Sequence, residues 1–208
     1  MPIIRIIKPN DNTIVGIWKI TETLDNLSKS VSLSSTSKEL LKNRKSKVHK
    51  LQFLGVRAIL LELGYSVDSL SYQDNTPILN DSKKISISHS NLFSCVIISD
   101  LKVGIDVQEI NHKINTIAKK FIGYETSYLT HDDFKRKSII WNIKESIYKI
   151  ANINGLDYKT HSLVVPFNLS DNFTYSWLIY KNLKERYASY FFTIENYSFA
   201  YLIHADDE

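Results

Sequence analysis

Two short segments of this sequence carry acidic and basic side chains at spacings that could support chemistry. The first is Val103-Gly104-Ile105-Asp106-Val107-Gln108-Glu109, in which apolar and polar residues alternate. Alternation predicts a strand, so Asp106 and Gln108 share one face while the apolar residues between them point to the core. The oxygen atoms on the polar face suit a hard cation.

The second segment, Trp141-Asn142-Ile143-Lys144-Glu145-Ser146-Ile147-Tyr148-Lys149, is predicted to be a helix. Its apolar stripe comes from isoleucines at helical spacing, namely Ile140, Ile143, Ile147 and Ile150. On an adjacent stripe, Trp141, Glu145 and Lys149 follow one another at intervals of one turn, which brings a carboxylate and an ammonium together. The two segments therefore predict a metal-binding strand and an acid/base helix.

Each feature also has an ordinary structural interpretation. A single aspartate on a strand is usually an exposed surface residue. A surface pair of Glu145 and Lys149 at i, i+4 is worth only about 0.3–0.5 kcal/mol and needs no catalytic role. That interpretation explains the helical spacing equally well, but it does not explain the Gly-Ile-Asp segment that precedes it.

Together, the two segments resemble the signature motifs of the 4'-phosphopantetheinyl transferases, which read G-I-D-x-E/Q and W-x-x-K-E-S/A-x-x-K. Two further stretches are similar to elements of the same family. Ile87-Ser88-His89-Ser90 resembles its S-H-S element, and Ala118-Lys119-Lys120-Phe121-Ile122 with Glu125 and Leu129 resembles its A-x-R/K-F-F…E…L stretch. The matches stand in the family's order and span residues 85 to 149.

The resemblance implies an enzyme that moves the 4'-phosphopantetheine arm of coenzyme A onto a serine of an apo acyl- or peptidyl-carrier protein. The reaction requires Mg2+ and releases 3',5'-ADP. By this resemblance, Asp106 and Glu145 are the direct metal ligands. Gln108, where many members have glutamate, is the third ligand and supplies an uncharged amide oxygen.

The same resemblance gives roles to the other polar residues of the motifs. Glu145 is also the general base for the incoming serine, and Lys149 contacts the phosphates and protonates the departing one. Lys144 supports nearby carboxylates or phosphate. His89 hydrogen-bonds a pyrophosphate oxygen, and Ser88 adds a hydroxyl.

Coenzyme A and the carrier protein are expected to meet basic residues. Lys47 and Lys50 precede Phe53-Leu54-Gly55-Val56-Arg57, which resembles the family's F-L-A-G/V-R helix, and are expected to bind the 3'-phosphate. The family's G-K-P loop appears here as Asn75-Thr76-Pro77, so its lysine is missing and Lys83 or Lys84 is the candidate substitute. The acidic carrier protein is expected at a surface formed by Lys113, Lys119, Lys120 and Phe121. A core position for Phe121 is an equal alternative.

The resemblance further implies an α+β fold in which two similar α/β halves pack as a pseudo-dimer, each with an antiparallel sheet and a long helix. The 208 residues suit the longer, surfactin-synthetase-activating type of the family, which implies a monomer. Residues 1–102 would form the N-terminal half, which carries His89 and the side that binds the adenine and 3'-phosphate. Residues 103–208 would carry the magnesium site and the catalytic helix.

Local patterns predict the elements that position these residues. A capping box at Thr36-Ser37-Lys38-Glu39 predicts a long helix that ends near Leu63, after a serine-rich connection at residues 28–37. Residues 72–79 are predicted to be a polar loop, and residues 139–151 the motif helix. Strands are expected at the following segments: 3–7, 14–20, 84–88, 93–98, from 103, 163–165, 174–180, 190–194 and 199–203. Short helices are expected at 114–121 and 125–129.

The single cysteine and the distribution of apolar residues predict where in the cell the protein is located. The lone Cys95 lies in an apolar run, which predicts a buried thiol and no intramolecular disulfide. The sequence shows neither a signal-peptide pattern nor an apolar run of the roughly 18 residues that a membrane span needs, so a cytoplasmic protein without membrane contact is expected.

Two other classes of function are open at this stage. The first is a non-catalytic relative that binds coenzyme A or a carrier protein, motivated by Gln108 and by the missing G-K-P lysine. The second is a nucleic-acid-binding module, suggested by the basic cluster at residues 38–50 and by 12% aromatic residues. We expect no nucleic acid as partner, because no DNA- or RNA-reading motif accompanies the cluster.

Overall fold

The computed structural model describes residues 3–205 of the chain. The chain divides after Leu101 into two compact units, Met1–Leu101 and Lys102–Glu208. Each unit contains an antiparallel sheet and one helix of 16 or 18 residues. The α+β class predicted from the sequence is therefore confirmed.

The first unit contains six strands and three helices. The strands are β1 (Ile3–Asn10), β2 (Thr13–Lys19), β3 (Leu70–Gln73), β4 (Thr76–Leu79), β5 (Lys84–Ser90) and β6 (Phe93–Ser99), and the helices are α1 (Leu24–Val31), α2 (Ser35–Lys42) and α3 (Lys47–Glu62). The main sheet has the antiparallel order β1-β2-β6-β5, and β3 pairs with β4 alone. Helix α3 packs on β2 and β6, where Leu54, Ile59 and Leu60 are fully buried.

The single long helix predicted from the capping box at Thr36 is wrong, because a second capping serine divides it. Ser34 caps α2, and its hydroxyl accepts a hydrogen bond from the Ser37 amide at 3.2 Å. Ser46 adopts extended backbone and caps α3, accepting from the His49 amide at 3.1 Å. Serine hydroxyls that bind the backbone in this way start new helices rather than continue old ones.

Two segments predicted to be irregular are regular in the structure. Residues Leu24–Val31 form α1, which is capped by Thr23 and buries Leu27 and Val31 one turn apart, so it overlaps the predicted serine-rich connection. The predicted polar loop at residues 72–79 belongs to the β3–β4 hairpin. Its turn has Asp74 and Asn75 at positive φ, the backbone conformation that tight hairpin turns require.

The second unit is built around a five-stranded antiparallel sheet. Its strands are β7 (Val103–Glu109), β8 (Ser162–Val164), β9 (Phe173–Tyr180), β10 (Leu183–Ile194) and β11 (Tyr197–Ala205), and its helices are α4 (Ile114–Ile117) and α5 (Phe134–Ala151), with single 3₁₀ turns at Ala118–Lys120 and Tyr124–Ser127. The strand order is β7-β11-β10-β9-β8. The predicted motif helix is present as α5, although it begins at Phe134 rather than Ile139.

Helix α5 packs unusually close to strand β7. A Cβ atom on Gly104 would lie 2.5 Å from the Ser146 carbonyl oxygen, so only glycine permits this approach. The Asn142 amide donates to the Ser198 carbonyl oxygen on β11 at 2.7 Å and fixes the position of the helix along the sheet. Of the predicted isoleucine stripe of α5, Ile140, Ile143 and Ile147 are buried and Ile150 is partly buried; Ile139 is buried as well. These contacts set where the polar stripe of the helix meets β7.

Candidate functional site

Strand β7 and helix α5 bring Asp106 and Lys149 into direct contact. The Lys149 Nζ donates to Asp106 Oδ1 at 2.8 Å and to the Ile105 carbonyl oxygen at 2.9 Å. Asp106 is 7% exposed, whereas the Lys149 side chain is 28% exposed. The pair therefore lies at the edge of the core, where one partner still reaches solvent.

Glu145 lies on the same stripe of α5, one turn before Lys149. Burial raises the pKa of Glu145, and the neighbouring charge of Asp106 raises it further. A hydrogen bond from Tyr158 and the charge of Lys149 oppose these effects. Burial and the like charge of Asp106 both disfavour the ionised form of Glu145, and a bound cation would favour it.

Tyr158 is a site residue that the sequence reasoning missed. Tyr158 lies near Glu145, and burial together with the Glu145 charge raises the pKa of its phenol, so the hydroxyl stays protonated and is available to donate to that carboxyl. Its ring lies 5.3 Å from that of Tyr148 and 5.4 Å from that of Trp141. No fixed spacing links Tyr158 to the motif helix, and only the fold brings them together.

The oxygen atoms of this cluster suit magnesium. Gln108 follows Asp106 by two residues on β7, so its half-buried side chain lies on the same face of the sheet. Across residues 3–205, the His, Cys, Asp and Glu side chains form no group of three or more that could hold a metal. A divalent ion at this place would have two carboxylates, an amide and water as ligands. Mg2+ accepts such a set because it keeps several waters when protein-bound.

The comparisons with known proteins do not assign the chain to a family. A scan against models of protein families finds none that matches the chain, and a search of curated proteins finds no match. Within residues 3–205, none of the helices combines the length and hydropathy that a membrane-crossing segment needs.

Lys144, which precedes Glu145 in the motif and lies about 100° around the helix from it, is fully buried. Its Nζ forms an ion pair with Glu125 Oε1 at 2.8 Å. It also donates to three backbone carbonyl oxygens, those of Phe121, Tyr158 and Ser162. Lys144 therefore supports a carboxylate, as expected, but that carboxylate is the structural Glu125 rather than a group of the site.

Phe121 belongs to the core of the second unit. It is 0% exposed, and its ring meets Trp141 edge-on at 5.0 Å between ring centroids. Lys119 and Lys120 beside it are exposed. Of the two alternatives for Phe121, the structure has the core position, so the expected carrier surface consists of its lysines alone.

The expected coenzyme A residues of the first unit lie on α3 and β5. Lys47 is exposed and Lys50 half-buried, both at the start of α3. His89 is exposed, whereas Ser88 is 8% exposed and its carbonyl oxygen accepts a hydrogen bond from the Cys95 thiol. Because neighbouring residues of a strand point to opposite faces, the Ser88 and His89 side chains diverge.

Arg57, the last residue of the Phe53–Arg57 stretch, is a buried residue of α3. It is 0% exposed, and its guanidinium carbon lies 3.5 Å from the centroid of the Phe53 ring. Burial lowers its pKa, while the nearby phenol of Tyr72 acts in the other direction. Stacking on the ring offsets part of the cost of burying this cation.

Proposed function

We propose that this protein is a magnesium-dependent 4'-phosphopantetheinyl transferase that modifies a serine of an apo acyl- or peptidyl-carrier protein. The observation that carries the proposal is the contact between Asp106 and Lys149, with Glu145 beside them. These three residues come from the two segments that resemble the family's signature motifs. Gly104, also part of the first motif, permits the close approach that brings them together.

Asp106, Glu145 and Gln108 would hold the metal ion. When bound, Mg2+ would neutralise charge on the pyrophosphate oxygens of coenzyme A. The donor set fits this ion because all its atoms are oxygens. Burial raises the pKa of Glu145, and the neighbouring charge of Asp106 raises it further, so a cation would favour the ionised carboxylate.

The chain's own residues would move the protons. Glu145 would accept the proton of the incoming serine hydroxyl, and a pKa raised towards neutrality improves a carboxylate as a general base. Lys149 would donate a proton to the departing phosphate, held in place by Asp106 until the substrate arrives. Tyr158 would orient Glu145 through its hydroxyl.

Coenzyme A would be bound by the residues that the resemblance assigns to it. His89 and Ser88 would contact the pyrophosphate, and Lys47 and Lys50 the 3'-phosphate. The carrier protein would dock through its acidic surface on Lys113, Lys119 and Lys120. We further propose a cytoplasmic monomer without nucleic-acid partners that serves carriers of fatty-acid, polyketide or peptide synthases.

The test is intact-mass spectrometry of an apo carrier protein incubated with this protein, coenzyme A and Mg2+. We expect a mass gain of one phosphopantetheine arm that disappears with EDTA and with Glu145→Gln. A matched control is Glu39→Gln, which neutralises an exposed glutamate on α2 and should leave the gain unchanged. Wild-type-like transfer by Glu145→Gln would refute its role as base and ligand.

A second candidate is a non-catalytic relative that binds coenzyme A or a carrier protein. It is favoured by the lack of a three-residue group of acids, His or Cys among residues 3–205 and by Thr76 at the start of β4, where the family has lysine. The combination of Asp106, Glu145 and Lys149 argues against it, because binding alone needs no acid/base pair. Calorimetric binding of coenzyme A without mass gain on any carrier class would favour this candidate.

A further inference from the structure

The second unit contains a cavity of about 430 Å3 outside the carboxylate cluster. Its volume lies in the range of natural small-molecule sites, roughly 300–1,000 Å3. The residues that matter to its chemistry are Ala118, Lys119, Ile122, Leu129, Lys137 and Lys159. Half of these are apolar and half are lysines, and the cavity lining includes neither aspartate nor glutamate.

Lys137 is the most informative of these lysines because it is 7% exposed. Its ammonium donates to Asn115 Oδ1 at 2.8 Å and to the His131 carbonyl oxygen at 2.7 Å, both of which are neutral acceptors. Within residues 3–205, no carboxylate forms an ion pair with it inside 4.0 Å. Asp133 is a nearby countercharge without direct contact, since hydrogen bonds from Thr130 and the charges of Arg136 and Lys137 lower its pKa. An anion in the cavity would give the buried Lys137 a direct ionic partner.

The carboxylates close to the cavity are engaged in holding its walls. Asp133 Oδ2 accepts from the Thr130 amide at 2.8 Å and from its hydroxyl at 3.0 Å. Asp157 Oδ1 accepts from the amides of Lys159 and Thr160 at 3.0 and 2.8 Å. These acids therefore order the loops that present the lysines, and the charge of Asp133 also acts on Lys137 without direct contact.

The wall that carries Lys159 is also fixed by close packing. A Cβ atom on Gly123 would collide with the Lys159 carbonyl oxygen, so this loop lies directly against the segment that contains Ile122. Ile122 itself is 8% exposed. Preformed walls reduce the entropy that a ligand must overcome on binding.

We propose that this cavity binds a small amphiphile with one anionic head group and an unbranched apolar chain, such as a fatty carboxylate or an alkyl phosphate. The head group would lie against Lys137 between the outer lysines Lys119 and Lys159. The apolar chain of the ligand would pack on Ala118, Ile122 and Leu129. This binding goes beyond the proposed transfer and requires neither coenzyme A nor Mg2+.

The test is a titration of the isotope-labelled full chain with octanoate, followed by amide chemical shifts without coenzyme A or metal. We expect saturable shifts concentrated in residues 118–137 and at Lys159. Octanol, which has the same chain without the charge, should bind at least tenfold more weakly. Butanoate should bind far more weakly, because each methylene removed costs about fourfold in Kd.

Variants separate the cavity from general attraction to a basic protein. Lys119→Gln with Lys159→Gln should weaken the binding of octanoate at least tenfold and leave the binding of octanol unchanged. Lys29→Gln with Lys135→Gln removes two exposed lysines that do not line the cavity, and it should change the binding of neither octanoate nor octanol. Lys137→Met should abolish the preference for octanoate over octanol; if it does not fold, the two exposed substitutions still test the proposal.

Three results would overturn the proposal. The first is octanol binding as tightly as octanoate, and the second is amide chemical shift changes outside the cavity. The third is an equal weakening of octanoate binding by the cavity pair, Lys119→Gln with Lys159→Gln, and by the control pair, Lys29→Gln with Lys135→Gln. Absence of saturable octanoate binding up to its solubility would also overturn it, unless octyl phosphate binds at the same residues. A preference between octanoate and octyl phosphate identifies the natural head group.

Discussion

Lys149 and Asp106 form a hydrogen-bonded ion pair across 43 residues of sequence, with 2.8 Å between Nζ and Oδ1. The lysine also holds the Ile105 carbonyl oxygen, so its ammonium is fixed by strand β7 at two points. A flexible side chain is thereby oriented before any substrate binds. Asp106 and Lys149 consequently act as a unit.

The first prediction concerns this pair. If the proposed function is correct, Lys149→Met should lower the transfer rate by at least about a hundredfold, because it removes the residue proposed to donate to the phosphates. The rate is measured from the mass gain of the carrier at saturating coenzyme A. Lys135→Met, an exposed lysine of the same helix, is the control and should retain the wild-type rate. Equal rates for the two variants would contradict the proposed role.

The second prediction is a pH dependence of stability. The pKa of Glu145 is raised in the folded protein by burial and by Asp106. Its contribution to stability is therefore fully present below the ordinary glutamate pKa, about 4.3, and is lost as the pH rises through the raised folded value. Glu145→Gln removes this loss, so the variant should be more stable than wild type near neutral pH but not in acid.

This second prediction is measured by urea unfolding across pH in the absence of divalent ions. The difference in free energy of unfolding between Glu145→Gln and wild type should increase with pH. Mg2+ should reduce that difference by stabilising the wild type. Glu39→Gln, on the exposed face of α2, should show no such trend. A pH-independent difference for Glu145→Gln would contradict the raised pKa.

Sequence patterns predicted the strand and the helix of the cluster because each segment has its own periodicity, although residues 103–107 of β7 are all buried. The alternation around Asp106 and the isoleucine stripe of α5 are signals that a single segment carries by itself. Gly104 permits the close packing of strand β7 on helix α5, and the sequence alone does not show that this glycine has that role. The contact between Asp106 and Lys149 was not predicted, because local patterns place each residue on its element but do not give the contact between the elements.

Other features depend on tertiary contacts that local patterns do not encode. Lys144 resembles a surface lysine in sequence, but its ammonium is surrounded by Glu125 and three carbonyl oxygens from distant segments. Tyr158 reaches Glu145 only because the chain after α5 folds back on the helix. The break before α3 rests on Ser46, one of several serines in that region that could equally have capped a helix.

The third prediction concerns Tyr158. Its hydroxyl lowers the pKa of Glu145, so Tyr158→Phe should raise that pKa further. The acidic limb of the pH profile of kcat/KM should then shift to higher pH, while the stacked rings of Trp141 and Tyr148 keep their partner. Tyr124→Phe, at an exposed tyrosine, should leave the profile unchanged. An unshifted profile for Tyr158→Phe would exclude Tyr158 as a positioning residue.

The fourth prediction separates structure from chemistry within the motif helix. Lys144→Met leaves the fully buried Glu125 carboxylate without its cation, although the Gly123 and Val164 amides still donate to it. Breaking a buried pair in this way costs about 3–5 kcal/mol in free energy of unfolding. Adding Glu125→Gln should recover part of this loss, because the neutral amide needs no countercharge.

This fourth prediction is measured by urea unfolding followed by tryptophan fluorescence, since Trp141 packs on Phe121 beside the pair. Lys135→Met, which replaces an exposed lysine of the same helix, should change stability by less than about 0.5 kcal/mol. Transfer should fall only in proportion to the unfolded fraction. If Lys144→Met instead kept wild-type stability and lost transfer, Lys144 would act on the phosphates, and burial against Glu125 would not be its main role.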